Sequence, residues 1–415
     1  MLNNYRPIFL LSVFDKIMEK LIHKRLYSFL MEHNILFHNQ FGFRKNNSTT
    51  YALIEITERI KESIDKHKYG CGIFIDLRKA FDTVNHNILL SKLEHYGVRG
   101  NALRWFKSYL SNRKQYVFYN GESSKLKEIT CGVPQGSVLG PLLFLLYIND
   151  LPNITKVFQF FLFADDTNIY CDANTLDELQ FLINKELKEL QTWLIVNRLS
   201  LNIDKTNFVI FHPYNKPVKQ KITLKLHKNA ISEKDSVKYL GIIIDSTLTW
   251  QTHIDKISKK ISRATGLLYK IRPFINIKIM KTLYYSFVYP HLLYAIEVWG
   301  SADITHLNRL TNLQKRVVRM ITFSDRRQID YSFLPSDPLF LKMEIVKIQD
   351  IFKMNVSKFI FKCLNKTNPN NFHSWYILSS QVNNHNTSSR YIDINTLITT
   401  RSLFIPFSRT KHYGL

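Results

Sequence analysis

The sequence predicts an α+β fold, and three observations predict it. Two apolar runs written like buried strands, 71–77 and 158–170, carry carboxylates where a core strand would not place them. Stretches with apolar residues at helical spacing, 10–30, 137–150 and 175–197, lie around and between those runs. From residue 252 the pattern turns helical and basic, with 14 Lys and Arg against 5 Asp and Glu over 251–330. At 415 residues and 45% hydrophobic, the chain can bury a large core divided among two or three subdomains.

Taken in order, residues 1–70 read as mostly helical. The helix at 10–30 interleaves Lys16, Lys20, Lys24 and Arg25 with its apolar positions. The loop Gln40-Phe41-Gly42-Phe43-Arg44-Lys45-Asn46-Asn47-Ser48-Thr49-Thr50 follows, and Ser48 or Thr49 suits the cap of a helix over 51–64. Arg44 and Lys45 beside a glycine suit a phosphate, since a guanidinium pairs with phosphate oxygens in bidentate fashion; a solvated basic loop is the plainer reading. Residues 70–77 form a strand ending on Asp76, and Asp82 reads as a cap or supporting residue, not a ligand. Helices over 88–95 and 102–110 come next, then a strand over 115–120 with its turn at Gly121-Glu122. Gly132-Val133-Pro134-Gln135-Gly136-Ser137-Val138-Leu139-Gly140-Pro141 is dense in glycine, which lets a backbone approach another molecule closely. The helix over 137–150 tolerates Pro141 in its first turn, and its Leu-rich face is core.

Beyond residue 175 an amphipathic helix runs to 197, and its charges (Glu178, Lys185, Glu186, Lys188, Glu189) are assigned to a solvated face. Residues 199–211 alternate apolar and polar, which is strand patterning. Asp245, at the end of the largely apolar stretch 237–245, reads as a turn residue. Residues 365–390 are polar and Asn-rich, and a flexible loop is expected there.

The formal net charge of +24 and pI near 9.7 call for a polyanionic partner, most simply nucleic acid. No apolar run reaches the roughly 18–20 residues of a spanning helix, so a membrane is not expected as a partner. The first residues lack the apolar segment of a secretory signal. Cys71, Cys131, Cys171 and Cys363 have no metal-binding spacing and read as reduced thiols. An intracellular protein, nuclear or cytoplasmic or both, is the expectation.

The chemistry concentrates at Phe161-Leu162-Phe163-Ala164-Asp165-Asp166-Thr167-Asn168-Ile169-Tyr170. An ionised carboxylate in an apolar run is costly unless something replaces its lost hydration. Successive strand residues face opposite sides, so Asp165 and Asp166 approach one site only at a bend such as a hairpin tip. A hard divalent cation, which takes oxygen ligands, is one compensation; a solvated turn is the other, and this stretch alone does not choose between them.

Two further stretches decide it. Cys71-Gly72-Ile73-Phe74-Ile75-Asp76-Leu77-Arg78-Lys79-Ala80-Phe81-Asp82 ends a strand on a carboxylate, and the Gly132–Pro141 loop lies between it and the Asp-Asp pair. Strand–Asp, glycine-rich loop and strand–Asp-Asp, in that order, resemble the palm of a reverse transcriptase, closest in wording to those of non-LTR (LINE-like, jockey-like) retrotransposons. Asn4-Tyr5-Arg6-Pro7 and Gln40-Phe41-Gly42-Phe43-Arg44 look like that family's fingers motifs.

The resemblance implies a right-hand polymerase: fingers over 1–70, a palm with antiparallel sheet and finger insertions over 71–250, a helical thumb over 251–330 and a C-terminal region over 331–415. The reverse transcriptase domain proper would span about 1–245. It implies RNA-directed DNA polymerisation by two-metal nucleotidyl transfer, with two Mg²⁺ ions (Mn²⁺ as substitute) held by Asp76, Asp165 and Asp166. It places Arg44 on the incoming triphosphate, with Arg6 on template or triphosphate. The Leu77 carbonyl would add a metal ligand, Phe81 would exclude a 2′-hydroxyl, and Gln135 with Gly136 would meet the nucleotide or template. Lys205 would protonate the leaving pyrophosphate, Gly241 would meet the primer, and the basic side carrying Arg309, Lys315, Arg316 and Arg319 would meet the template–primer backbone. RNA template, DNA primer and dNTPs are the implied partners. The chain begins almost at the first fingers motif, so an endonuclease is expected from elsewhere. Two other readings are an RNA-directed RNA polymerase, disfavoured by Phe81 and Ala164-Asp165-Asp166, and a catalytically silent RNA-binding relic.

Overall fold

The structure, a computed structural model, describes residues 9–216, 218, 220–226, 229–322, 336–378 and 397–399. The Asn4-Tyr5-Arg6-Pro7 motif lies outside the described residues. The chain divides into two compact units: residues 1–47, 67–210 and 216–234 form one, and residues 48–66, 211–215 and 235–415 form the other.

The first unit is built on a five-stranded sheet, in the order Ser232–Glu233, Asn207–Phe211, Tyr69–Ile75, Asp166–Ala173, Gln159–Phe163. Tyr69–Ile75 pairs antiparallel with Asp166–Ala173, from Tyr69 opposite Ala173 to Ile75 opposite Thr167. Asp166–Ala173 turns back antiparallel on Gln159–Phe163. Ile73, Ile75, Phe160, Leu162, Ile169 and Cys171 are buried, because helices cover the sheet and leave little of these strands to solvent. Leu176–Val196 packs on the sheet, capped by Thr175, whose hydroxyl accepts from the Glu178 amide. Gly140–Ile148 is buried along nearly its whole length and packs on His86–His95. This is why its leucines form a continuous apolar run with no polar stripe.

Three polar knots tie these helices down. Tyr147 donates from its hydroxyl to the Asn197 carbonyl at 2.6 Å. Lys92 donates to Asp150 and to the Tyr147 carbonyl, both at 2.6 Å, and burial pulls its pKa below the ordinary lysine value. Glu19, on the helix Val13–Glu32, is 1% exposed and accepts from the Tyr109 hydroxyl and the Val138 amide, each at 2.6 Å.

In the second unit the helices Gln251–Ile271 and Ile304–Ile321 pack together, with Ile277–Phe287 and Ile348–Leu364 beside them. Gln314 is buried at their centre, donating to the Tyr284 hydroxyl and the Val346 carbonyl and accepting from the Ile348 amide. Thr49–Asp65 belongs to this unit and packs on Ile296–Trp299; Ser48 caps it by accepting from the Tyr51 amide. The hairpin Ser236–Tyr239 with Ile242–Asp245 turns at Leu240-Gly241, both at positive φ. The sequence reading of Asp245 as a turn residue is corrected: it ends the strand Ile242–Asp245 opposite Ser236, and its carboxylate accepts from the Thr249 and Trp250 amides at 2.8 Å, which holds the turn that follows.

The structure corrects three further sequence readings. Glu186 is not on a solvated face: it is 8% exposed, because it shares the packed stripe of Ile183, Leu187 and Leu190 at helical spacing. The strand read over 199–211 is confined to Asn207–Phe211, since Ile203–Lys205 winds into a short 3₁₀ turn. Within 365–390, part of the stretch read as a flexible loop is anchored: Phe372 is fully buried among aromatic rings, Trp375 and Tyr376 are buried, and Asn368 donates to the Cys363 thiol. The remainder of that stretch lies outside the described residues.

Candidate active site

Sheet register brings the carboxylates together. Ile75 pairs with Thr167, so Asp76 and Asp166 are the next residues along the two adjacent strands, although 89 residues separate Asp76 from Asp165 in sequence (165 − 76). Phe163 pairs with Asp166, which leaves Ala164-Asp165 as a two-residue turn, with Ala164 at φ 56°. The bend needed for both aspartates to reach one site is therefore present. Asp165 is partly exposed and Asp166 exposed, at the open end of an otherwise buried sheet.

Asp76 is held from the side opposite the hairpin. Its backbone carbonyl accepts from the Asn202 amide at 2.8 Å, and its Oδ2 accepts from the Asn202 side chain at 2.9 Å. Lys205 Nζ lies 4.0 Å from the same oxygen and is 71% exposed, free to swing toward a ligand. Leu77 is buried and bridges to Leu201, which fixes the segment carrying Asn202 beside Asp76. The sequence reading missed Asn202; its signal was the Asn three residues before Lys205 on the alternating stretch.

The glycine-rich loop is stapled to the segment after Asp76. Gly132 donates to the Val84 carbonyl and Val133 to the Phe81 carbonyl. A Cβ on Gly132 would lie 2.8 Å from the Asp82 carbonyl oxygen, and its φ is +89°, so this contact needs glycine. Gln135 donates its side-chain amide to Asp82 at 2.9 Å. Gly136 is exposed beside it. Phe81 stacks on buried Phe144 at 4.5 Å and meets Phe43 edge-on at 6.3 Å, leaving it half-buried with one side open. A cavity of about 430 Å³ lies beside this loop; Lys79, Arg113, Lys125 and Lys127 contribute cations to its lining, with Asp82 and Glu128 among them and apolar residues such as Phe9, Leu110 and Val133 making up much of the rest.

The structure turns Arg44 inward. Its Nη1 donates to the carbonyls of Phe37 at 2.7 Å and Gln40 at 3.2 Å, and burial lowers its pKa from the ordinary guanidinium value. Gly241 lies in the second unit, with the Tyr294 ring packed over it and the Tyr294 hydroxyl donating to the Leu240 carbonyl. On Ile304–Ile321, Arg316 is exposed and Arg319 half-buried, while Leu310, Val317 and Ile321 face the core. The division of that helix into apolar and basic sides is as the sequence reads.

The donor set of Asp76, Asp165 and Asp166 fits a hard divalent cation, being all oxygen and placed at the open sheet end. Among the described residues, no three His, Cys, Asp or Glu side chains converge closely enough to form a preassembled metal site. Also among the described residues, no helix is long and apolar enough to cross a membrane.

A family model described as reverse transcriptase (RNA-dependent DNA polymerase) matches residues 2–244. The probable RNA-directed DNA polymerase from transposon BS of Drosophila melanogaster is 33% identical over 343 residues, covering 77% of this chain and 36% of that protein. The RNA-directed DNA polymerase from mobile element jockey of the same fly is 30% identical over 331 residues, with the same shares. The chain thus spans about a third of the length of these relatives. Among solved structures, a telomerase from Candida albicans aligns with a TM-score of 0.45 at 11% identity, over 79% of this chain and 58% of that one, too loosely to carry an argument. With the palm-type sheet, the three motifs in order and a family match over more than half its length, the chain belongs to the reverse transcriptase family.

Proposed function

We propose that this chain is the polymerase portion of a non-LTR retrotransposon protein, extending a DNA primer on an RNA template with dNTPs. The observation that carries the reading is the register that sets Asp76 beside Asp166 at the end of adjacent strands, directly after the turn bearing Asp165. Two Mg²⁺ ions, when bound, would lower the charge of the triphosphate and the pKa of the primer 3′-hydroxyl. Asp76, Asp165 and Asp166 would hold them, with the Leu77 carbonyl as a further oxygen.

The protein's own part is positioning, since phosphoryl transfer asks for alignment and charge more than for a covalent nucleophile. Asn202 fixes the Asp76 carboxylate. Lys205, close to that carboxylate and exposed, is placed to donate a proton to departing pyrophosphate. Phe81, backed by Phe144, offers a rigid ring under the sugar, where a 2′-hydroxyl would clash. Gln135, held by Asp82, and the open backbone of Gly136 would meet the nucleotide or template. Arg44 reaches a triphosphate only by exchanging its loop carbonyls, so we assign it first to holding residues 37–44 together. Gly241 is assigned to the primer, and Arg316 and Arg319 to the template–primer backbone, on the strength of the resemblance and their exposed basic face. The fingers, palm, thumb and C-terminal ranges read from the sequence are kept as functional assignments.

The test is extension of a labelled DNA primer on RNA and DNA templates of one sequence, with dNTPs or NTPs. Extension on RNA with dNTPs supports the reading. Extension with NTPs alone would indicate an RNA polymerase, and salt-sensitive duplex binding without extension would indicate a silent relic.

A further inference from the structure

The side chain of Gln40 is committed to the catalytic turn. It is 2% exposed, and its Oε1 accepts two backbone amides, Gly42 at 2.9 Å and Ala164 at 3.1 Å. The second of these belongs to the residue immediately before Asp165. Ala164 sits in the left-handed region, which L-residues other than glycine, Asn and Asp rarely occupy without outside support. Around this bond the backbone is laced to the same hairpin: Phe41 donates to the Leu162 carbonyl at 2.8 Å, and Leu162 donates to the Asn39 carbonyl at 2.9 Å. The approach is so close that a Cβ on Gly42 would lie 2.3 Å from the Ala164 nitrogen. Gln40 Nε2 is buried with no hydrogen-bond partner, so an apolar side chain of the same shape would be cheaper to bury here. The carbonyl is the part of the side chain in use.

We propose that Gln40 is a positioning residue for the metal-binding carboxylates: its carbonyl holds Ala164 in the left-handed conformation that presents Asp165 to Asp76 and Asp166. The proposal rests on the reverse transcriptase reading of those carboxylates. Asp76 is held from its other side by Asn202, and the strand register ties Asp166 to it. Loss of the Gln40 carbonyl therefore lets the turn that carries Asp165 drift against these two. Outer contacts of this kind typically change metal affinity by about 10- to 100-fold.

The variants are Gln40→Met, which keeps the buried volume and removes the acceptor, and Gln40→Met/Ala164→Gly, in which glycine adopts the left-handed turn unaided. Mn²⁺ binding is read from the loss of the free-ion EPR signal, using the full chain on a poly(rA)–oligo(dT) duplex, with the duplex alone as blank. Asp165→Asn serves as control, and primer extension is titrated with Mg²⁺ in parallel. The expected result is about tenfold weaker Mn²⁺ binding in Gln40→Met, a matching rise in the Mg²⁺ needed for half-maximal extension, and recovery of most of that loss in the double variant. Unchanged Mn²⁺ affinity in Gln40→Met, with the control weakened, would overturn the role of Gln40 and leave the carboxylate site standing. A loss that Ala164→Gly does not recover would reduce Gln40 to loop packing and overturn the proposal as well. Unchanged affinity in Asp165→Asn would overturn the site itself and this inference with it.

Discussion

Glu19→Ala should destabilise the first unit far more than its place on a charged, apparently amphipathic helix suggests. The carboxylate is 1% exposed and accepts short hydrogen bonds from the Tyr109 hydroxyl and the Val138 amide, both 2.6 Å, with the Leu139 amide at 3.4 Å. Val138 and Leu139 lead into Gly140–Ile148, whose N-cap residue Leu139 offers no capping side chain; Ser137 accepts from the Gly140 amide, and Glu19 satisfies the two amides before it. A hydrogen bond to a charged group contributes about 1.5–3 kcal/mol, and removing the acceptor strands its donors. Counting the two short bonds gives about 3–6 kcal/mol. Relief of the carboxylate's own burial offsets part of this, leaving roughly 3 kcal/mol. Tyr109→Phe, which removes one donor and leaves the carboxylate on the amides, should cost about 1 kcal/mol. Urea unfolding by circular dichroism reads the totals, and hydrogen exchange over 137–148 reads the helix directly. Because the bonds share one acceptor, the double variant should cost less than the sum of the two. A Glu19→Ala cost within about 0.5 kcal/mol, with protection of 137–148 unchanged, would refute the claim that this carboxylate anchors the helix.

Three further outcomes are expected. Asn202→Ala frees the Asp76 carboxylate and should lower extension by at least about tenfold with duplex affinity intact; equal loss of duplex binding would contradict a positioning role. Phe81→Ala opens the space under the sugar and should raise incorporation of NTPs relative to dNTPs, measured in competition; unchanged discrimination would leave Phe81 a packing residue against Phe144. His253 is 3% exposed, its Nδ1 accepts from the Ile243 amide, and burial with Lys256 and Lys260 nearby pulls its pKa from 6.5 to about 4. It is neutral when folded, so its contribution is complete above pH 6.5 and is lost as the unfolded chain takes up a proton between 6.5 and about 4. That is about 3 kcal/mol at most, and His253→Gln should flatten the pH dependence of hairpin protection over the same window.

The palm was legible because its chemistry conflicts with its setting. A carboxylate at the end of an apolar strand, and two in the middle of another, mark positions where burial alone would not place charge. Glycines at 132 and 136 mark a backbone that must turn or approach closely, and the order of the three motifs supplied the topology. The supporting residues were not legible for the opposite reason. Glu19 sits at an ordinary spacing among the lysines of its helix, and only the tertiary partners Tyr109 and Val138, about 90 and 119 residues away, make it special. Gln40 and Asn202 act through single side-chain contacts with distant backbone or carboxylate, which no local pattern encodes. Arg44 shows the limit of residue-type reasoning: a guanidinium beside a glycine suits a phosphate, yet carbonyls of its own loop engage it first. Glu186 shows the same for periodicity, since acid–base spacing along a helix does not say which residues share the buried stripe.

The central claim is that Asp76, Asp165 and Asp166 form one metal-dependent site for primer extension. The most direct measurement is extension of oligo(dT) on poly(rA) with dTTP and Mg²⁺ by the native chain, Asp76→Asn and Asp165→Asn, with duplex affinity measured alongside. The account predicts extension by the native chain, a loss of at least about a thousandfold in either variant, and nearly unchanged duplex binding. Extension persisting in Asp165→Asn or Asp76→Asn would contradict it.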